Sequence, residues 1–179
     1  MSMMEAVKSV FSKYADFSGR ARRSEYWYFT LFIFLINAVF GVFLTHLEPN
    51  STPYYLVNAL EGLFSLATFV PSLAVTWRRF HDIGKSGAWC LLGFAVSILG
   101  IVFVIVLALT YSATGSSVSD MVMASVGMTI IGVFLAILVI YVLMLIWLCR
   151  EGQVGSNRYG PDPKRPEFSA DSGKTPWEY

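Results

Sequence analysis

Three short segments of this chain concentrate residue types that bind anions or move protons. They run from Phe17 to Trp27 (FSGRARRSEYW), from Pro71 to Trp89 (PSLAVTWRRFHDIGKSGAW) and from Glu151 to Pro163 (EGQVGSNRYGPDP). Arginine guanidinium groups bind carboxylates and phosphates through two parallel hydrogen bonds. The candidate site consists of twelve residues: Arg20, Arg22, Arg23, Glu25, Arg78, Arg79, His81, Asp82, Lys85, Asn157, Arg158 and Asp162.

Two arrangements of these charges are possible. In the first, the cations pair with Glu25, Asp82 and Asp162 in an internal salt-bridge lattice, and the remaining cations face anionic lipid. In the second, the arginines and the backbone N–H groups of Gly84–Gly87 hold a phosphate-bearing ligand such as a lipid headgroup. The residues favour the internal salt-bridge lattice, and the phosphate site is the alternative.

Signals for catalysis or metal binding are weak. Asp82 could orient His81 as a base, but neighbouring residues on a helix do not face each other. Gly84-Lys85-Ser86 resembles the end of a phosphate-binding loop, yet the pattern also needs a glycine five positions earlier, where the chain has Arg79. No cysteine and histidine spacing suits a metal. We therefore predict no catalytic residue, no metal and no cofactor.

The composition places these segments in a membrane protein. Hydrophobic residues make up 55% of the 179 residues and charged residues only 14%, with a mean hydropathy of +0.59. A soluble globule of this composition would expose large apolar patches. This argues against a soluble enzyme, a nucleic-acid-binding module and a disordered regulator.

Four apolar stretches are long enough to cross a bilayer, for which about 20 residues suffice. Backbone groups in hydrocarbon must be satisfied internally, so the stretches must be helices. We predict an all-α polytopic membrane protein with spans at about 27–47, 54–77, 88–111 and 121–148, within a domain of residues 27–148.

The positions of the basic residues predict the orientation. All 13 Lys and Arg residues lie in the N-terminal segment, the middle connection and the C-terminal tail, and the other two connections have none. Because cytoplasmic loops carry the Lys/Arg excess, both termini and the middle connection are predicted to be cytoplasmic. The formal net charge of +1 hides this asymmetry.

The ends of the chain have their own character. Within the cytoplasmic segment 1–26, Met3, Val7, Val10, Phe11 and Tyr14 recur at helical spacing. This pattern predicts a short amphipathic helix at the inner membrane interface. The tail, residues 149–179, is predicted to be cytoplasmic and disordered after about 166.

Polar residues inside the spans form a second candidate site: Asn37, Asn58, Glu61, Ser65 and Thr68. Glu61 is the only acidic residue within a span, and a carboxylate there is by default a functional hypothesis, with Asn37 as a possible partner. The alternative is that the polar face of the second span is a packing seam.

Two further features concern packing within the spans. Small and weakly polar residues are predicted to form seams between helices, in the third span Cys90, Gly93, Ser97 and Gly100 and in the fourth Gly132 and Ala136. Pro71 should kink the second span, and the hydroxyl of Thr68 or Ser72 is predicted to satisfy the carbonyl that it frees.

The three charged segments resemble the bacterial inner-membrane family known as domain of unknown function 805. The matching motifs are F-x-G-R-A-x-R-x-E-[YW]-W, P-x-L-A-V-x-x-R-R-x-H-D-x-G-K-S-G-x-W and G-x-x-G-x-N-x-Y-G-P-D-P, in that order, over residues 11–163. Phe80 stands where the family usually has Leu, and Ala88 where it often has Trp. The resemblance implies a small multi-span protein of the bacterial inner membrane and no particular activity.

We therefore predict a structural or regulatory, non-enzymatic protein. Its basic cytoplasmic base would bind anionic phospholipid headgroups or a membrane protein partner, which includes a second copy of the chain. One alternative is a lipid or small-solute transporter that uses Glu61 and the polar face of the second span. Another is an enzyme acting on a lipid phosphate. Nucleic acid is not expected as a partner.

Overall fold

A computed structural model describes residues 1–114 and 120–165. These residues form five helices and no β-strand: α1 (Met3–Ser12), α2 (Arg23–His46), α3 (Thr52–Asp82), α4 (Trp89–Thr114) and α5 (Asp120–Cys149). α2 to α5 each contain a stretch long and apolar enough to cross a membrane. The predicted all-α fold with four spans is confirmed. The predicted disorder of the tail after about residue 166 lies outside the described residues.

The N-terminal amphipathic helix is confirmed as α1. It begins with a capping box, in which the Ser2 hydroxyl accepts a hydrogen bond from the Glu5 N–H and the Glu5 carboxylate accepts one from the Ser2 N–H. Ala6 and Val10 are fully buried on the inner face of the helix. The helix ends at Ser12, so Tyr14 of the predicted pattern follows it rather than belonging to it.

The helices extend past the predicted spans at the ends that carry charge. α2 begins at Arg23, and α3 continues to Asp82, which makes it 31 residues long. At 1.5 Å per residue such a helix measures about 46 Å, longer than the hydrocarbon core. Residues predicted to lie in the middle connection, among them Arg78 and Asp82, are therefore on the last turns of α3.

Gly84 ends α3. Its φ of +76° is a left-handed conformation that favours glycine. The Gly84 N–H donates to the His81 carbonyl and the Lys85 N–H to the Phe80 carbonyl. These two bonds form a Schellman motif, which satisfies the last carbonyls of the helix.

The chain divides into two compact units. The first contains Met1–Gly87 and the segment that begins at Arg150, and the second contains Ala88–Cys149. In the first unit, the apolar core joins α1, α2 and α3 through Val10, Phe29 and Val75.

In the second unit, α4 packs on α5 through small residues. A Cβ at Gly93 would touch Met144 and one at Gly100 would touch Ile137, and the hydroxyls of Ser97 and Tyr141 are 2.9 Å apart. The third span therefore packs on α5 through Gly93, Ser97 and Gly100 of its predicted seam. Gly132 behaves differently, because a Cβ there would meet open space within this unit.

A hydroxyl from outside α3 satisfies the carbonyl freed by Pro71. Pro71 lacks the N–H that would bond the Ala67 carbonyl four residues earlier. The Tyr14 hydroxyl donates to that carbonyl at 2.8 Å. The prediction that Thr68 or Ser72 would satisfy the Ala67 carbonyl was wrong. The Thr68 hydroxyl donates to the Phe64 carbonyl, and the Ser72 hydroxyl donates to the Thr68 carbonyl.

We expect Tyr14→Phe to lower the free energy of unfolding by about 1–3 kcal/mol, the cost of leaving a carbonyl unsatisfied away from water. In a Pro71→Ala background the loss should shrink, because alanine restores the missing backbone N–H. Denaturant unfolding in detergent micelles measures both. Tyr28→Phe is the control, and an equal loss with and without Pro71 would contradict the assignment.

Candidate functional site

Six buried charged side chains meet where the start of α2, the end of α3 and the segment after α5 come together. None is more than 6% exposed. We call this group the arginine–carboxylate cluster: Arg20, Arg78, Arg79, Glu25, Asp82 and Asp162. It contains three cations and three carboxylates, so its charges can balance without a ligand.

Asp82 lies between two guanidinium groups. The Arg20 Nε donates to Asp82 Oδ1 at 3.0 Å, and the Arg79 Nη1 donates to Oδ2. Arg79 is on α3, one turn before Asp82, whereas Arg20 comes from the connection before α2. A carboxylate with a guanidinium on each oxygen is the arrangement that makes charge burial tolerable.

The same arginines hold the backbone of the segment after α5. Arg20 donates to the carbonyls of Gln153 and Gly155, and Arg79 donates to the carbonyl of Arg150. Arg22 binds the Pro163 carbonyl in the same way. The guanidinium groups of Arg20, Arg22 and Arg79, which were candidates to bind an anionic ligand, therefore bind backbone carbonyls of the chain itself.

The segment after α5 packs closely on the end of α3. The Gln153 N–H donates to the Asp82 carbonyl at 2.8 Å, and the Asn157 amide donates to the His81 carbonyl at 3.0 Å. A Cβ at Gly152 would overlap the Asp82 carboxylate. Glycine at this position lets the backbone approach the cluster.

Asp162 fixes the turn in this segment. Its carboxylate accepts hydrogen bonds from the N–H of Gly155 at 3.3 Å and of Lys164 at 2.8 Å. The side chains of Asn157 and Asp162, both predicted members of the candidate site, thus form hydrogen bonds with backbone groups.

His81 does not pair with Asp82. Its Nδ1 lies 3.0 Å from the Gly19 carbonyl oxygen, which can only accept, so Nδ1 carries the proton. The ring stacks on Tyr159 with centroids 3.8 Å apart, and the Arg158 guanidinium lies over the Tyr159 ring at 4.6 Å. Asp82 binds the guanidinium groups of Arg20 and Arg79, whereas His81 hydrogen-bonds the backbone at Gly19. The two side chains therefore do not form an acid–base pair.

Arg78 forms the second half of the cluster with Glu25. Its Nη1 lies 3.3 Å from Glu25 Oε1, and the same oxygen accepts from the Ser9 hydroxyl at 3.0 Å. The Arg78 carbonyl accepts from the Ala21 N–H at 3.1 Å. Among the described residues, Arg78 Nε and Nη2 have no hydrogen-bond partner.

Sequence reasoning missed Ser9 and Tyr159. Tyr159 lies inside the third charged segment, but no pattern in the neighbouring sequence indicates that it stacks on His81. The hydrogen bond from Ser9 to Glu25 spans 16 residues, and no sequence pattern near either residue indicates it. The backbone N–H groups proposed for phosphate binding are also partly used, since those of Gly84 and Lys85 bond the end of α3.

Outside the buried cluster, two carboxylates are stabilised in their charged form. A hydrogen bond from Lys164 and the charges of Lys164 and Arg23 lower the pKa of Glu151. Hydrogen bonds from the Ser18 hydroxyl and N–H, followed by the charges of Arg78 and Lys13, lower the pKa of Asp16.

The polar residues of the spans mostly bond their own helices. The Asn37 amide donates to the Ile33 carbonyl, the Asn58 amide to that of Tyr54 and the Thr68 hydroxyl to that of Phe64. Asn37 is thus engaged on its own helix. Within the described part of the chain, no hydrogen bond or ion pair involves Glu61 or the Ser65 hydroxyl.

The second unit contains a cavity of about 410 Å³ between α4 and α5. Its walls are apolar apart from Ser97 and include Phe103, Val133 and Phe134. Residues 1–114 and 120–165 contain no group of three or more His, Cys, Asp or Glu side chains that could hold a metal ion.

Comparison with known proteins identifies related chains along most of the length. The model of the family described as "Protein of unknown function (DUF805)" matches residues 14–161. The inner membrane protein YhaI of Escherichia coli K12 is 35% identical over 90% of this chain and 97% of its own length.

Two further relatives from the same organism extend the comparison. The inner membrane protein YhaH is 26% identical over 90% of this chain and 98% of its own. The uncharacterized protein YiiR is 27% identical over 88% and 92%. No solved structure matches the chain, and none of these three relatives carries an enzyme's name.

We expect Asp82→Asn to lower the free energy of unfolding by about 3–5 kcal/mol, because it leaves two buried guanidinium groups without their carboxylate. Glu151→Gln is the matched control, since Glu151 forms two ion pairs at the surface, and solvent-exposed pairs contribute little to stability. Thermal and denaturant unfolding in micelles compare the two, and equal losses would contradict the central role of Asp82.

Gly152→Ala should destabilise the protein by about 1–3 kcal/mol, the usual cost of forcing an extra carbon into a packed site. We also expect faster proteolysis of the segment after α5, because the added Cβ displaces either this segment or Asp82. Gly62→Ala is the control, because a Cβ there meets open space within the first unit. Wild-type protease resistance of Gly152→Ala would refute the close approach.

Proposed function

The chain belongs to the DUF805 family of proteins of unknown function, and we propose that it is a structural or regulatory protein of the bacterial inner membrane that binds anionic phospholipid headgroups. The binding groups are exposed cations that surround the arginine–carboxylate cluster. Both termini and the cluster lie on the cytoplasmic side of the membrane in this proposal.

The observation that carries the proposal is that the buried and the exposed basic residues have different partners. The buried arginines are engaged by carboxylates and by backbone carbonyls of the chain itself. Among the described residues, no ion pair joins a carboxylate to five exposed cations: Lys8, Lys13, Arg150, Arg158 and Arg165. Within the described part of the chain, these five exposed cations are available to an external anion.

Anionic lipids supply such an anion at the cytoplasmic surface. Each Lys or Arg near an anionic leaflet contributes about 1 kcal/mol, so several weak contacts sum to stable binding. α1 adds an apolar element, because Met4 is 63% and Phe11 38% exposed beside Lys8. An amphipathic helix with exposed apolar and basic side chains is typical of an interfacial segment.

The side-chain pairing supports a non-enzymatic role. His81 and Asp82 engage separate partners, so no positioned base faces an open site in the cluster. Transport through Glu61 and action on a lipid phosphate stay hypotheses, and so does binding of a membrane protein partner or a second copy.

Replacing the five exposed cations with glutamine should reduce the anionic lipid retained by the protein in native mass spectrometry, with phosphatidylglycerol as the probe. We expect at least about a tenfold loss of affinity, since each cation contributes about 1 kcal/mol. The binding should also weaken with salt.

The matched control replaces Arg23 and Lys164, two exposed cations that already pair with Glu151. This double variant should retain lipid like the wild type. Equal retention by the wild type and the five-cation variant would overturn the proposal. Recovery of one reproducible membrane protein neighbour by crosslinking, without lipid dependence, would favour the partner hypothesis instead.

A further inference from the structure

Arg78 is a buried cation whose hydrogen bonding is incomplete. Its side chain is 1% exposed and has one ion pair, from Nη1 to Glu25 Oε1 at 3.3 Å. Nε and Nη2 are buried and have no partner among the described residues. Unsatisfied donors on a buried guanidinium are rare in native proteins and require an explanation, such as an ion that completes the site.

The two unpartnered atoms belong to one edge of the guanidinium group. The Nε–H and one Nη2–H point in parallel along that edge, and two oxygens of a carboxylate or phosphate match this spacing. The other arginines of the cluster differ, because Arg20 and Arg79 direct their donors at Asp82 and at backbone carbonyls. Arg78 alone within the cluster combines burial with an unpartnered edge among the described residues.

The Arg78 backbone contacts the connection between α1 and α2. The Ala21 N–H bonds the Arg78 carbonyl at 3.1 Å, and Phe17 packs edge-on against Trp77 with ring centroids 5.7 Å apart. The charge of Arg78 also acts on Asp16 in the same connection. The Asp16 carboxylate itself accepts hydrogen bonds from the N–H and the hydroxyl of Ser18.

The depth of Arg78 indicates which oxyanion it meets. The predicted second span ends at Trp77, the residue before Arg78, and tryptophan favours the level of the lipid headgroups. Phosphate is the oxyanion that every phospholipid places at this level.

We propose that the Nε–Nη2 edge of Arg78 is a binding site for one phosphate group. The phosphate takes two parallel hydrogen bonds from this edge, while Nη1 keeps its ion pair with Glu25. Because Nε and Nη2 are covered, binding of the phosphate requires a movement of the residues that cover this edge. This site does not depend on the exposed cations, since none of them belongs to the cluster.

The source of the phosphate is either a lipid headgroup or a free phosphate ion. The first arm of the test measures binding of inorganic phosphate by calorimetry in micelles of a maltoside detergent, which carries no phosphate group. The second arm measures retention of phosphatidylglycerol by native mass spectrometry, in the variant that lacks the five exposed cations. A lipid retained there is held by the cluster rather than by the surface.

Arg78→Lys is the decisive variant, because it keeps the positive charge facing Glu25 and removes the two-donor edge. We expect it to weaken binding at least about tenfold in the arm where the wild type binds, the loss of one bidentate pair. Arg23→Lys makes the same change at an exposed arginine paired with Glu151, and it should leave binding unchanged. Binding in one arm identifies the source, whereas no binding in either arm, or binding insensitive to Arg78→Lys, overturns the proposal.

A second variant keeps the test valid if Arg78→Lys does not fold. Asp16→Asn preserves an oxygen for the hydrogen bonds from Ser18 and removes a negative charge that acts on Arg78. Binding should tighten about threefold, because a nearby like charge opposes the incoming phosphate. Unchanged or weaker binding by Asp16→Asn would contradict the placement of the site beside the connection.

Discussion

The constraint on which this structure depends is that a charge removed from water must be paired. Arg20, Arg78 and Arg79 are almost completely buried, and three equally buried carboxylates accompany them. A buried ion pair adds little net stability, but a buried charge without its partner is strongly destabilising. Removing one member of the cluster is therefore expected to cost more stability than an intact pair contributes.

This requirement ties together parts of the chain that are far apart in sequence. Asp82 is at the end of α3, Arg20 precedes α2, and the carbonyls that Arg20 binds follow α5, 133 and 135 residues later. The glycines in these segments serve the same purpose. Gly152 leaves room for the Asp82 carboxylate, and Gly84 turns the chain at the end of α3.

The pairing also changes the function expected of the basic residues. From composition alone, a dense group of arginines on one membrane face predicts a site for external anions. In the structure the donors of Arg20, Arg22 and Arg79 are directed at the chain's own carboxylates and carbonyls, and our proposal therefore assigns the binding of external anions to exposed lysines and arginines. Arg78 is the exception within the cluster, because one edge of its guanidinium has no partner among the described residues.

The sequence by itself determined the four spans, the amphipathic α1 and the three segments that form the cluster. These follow from hydropathy, periodicity and charge placement, which are local or additive properties of the chain. The tertiary structure decided which guanidinium group faces which oxygen, that His81 stacks on Tyr159, and that Tyr14 satisfies the carbonyl freed by Pro71. Such contacts join residues up to 141 positions apart, and only the packing of helices and segments brings their atoms within hydrogen-bond distance.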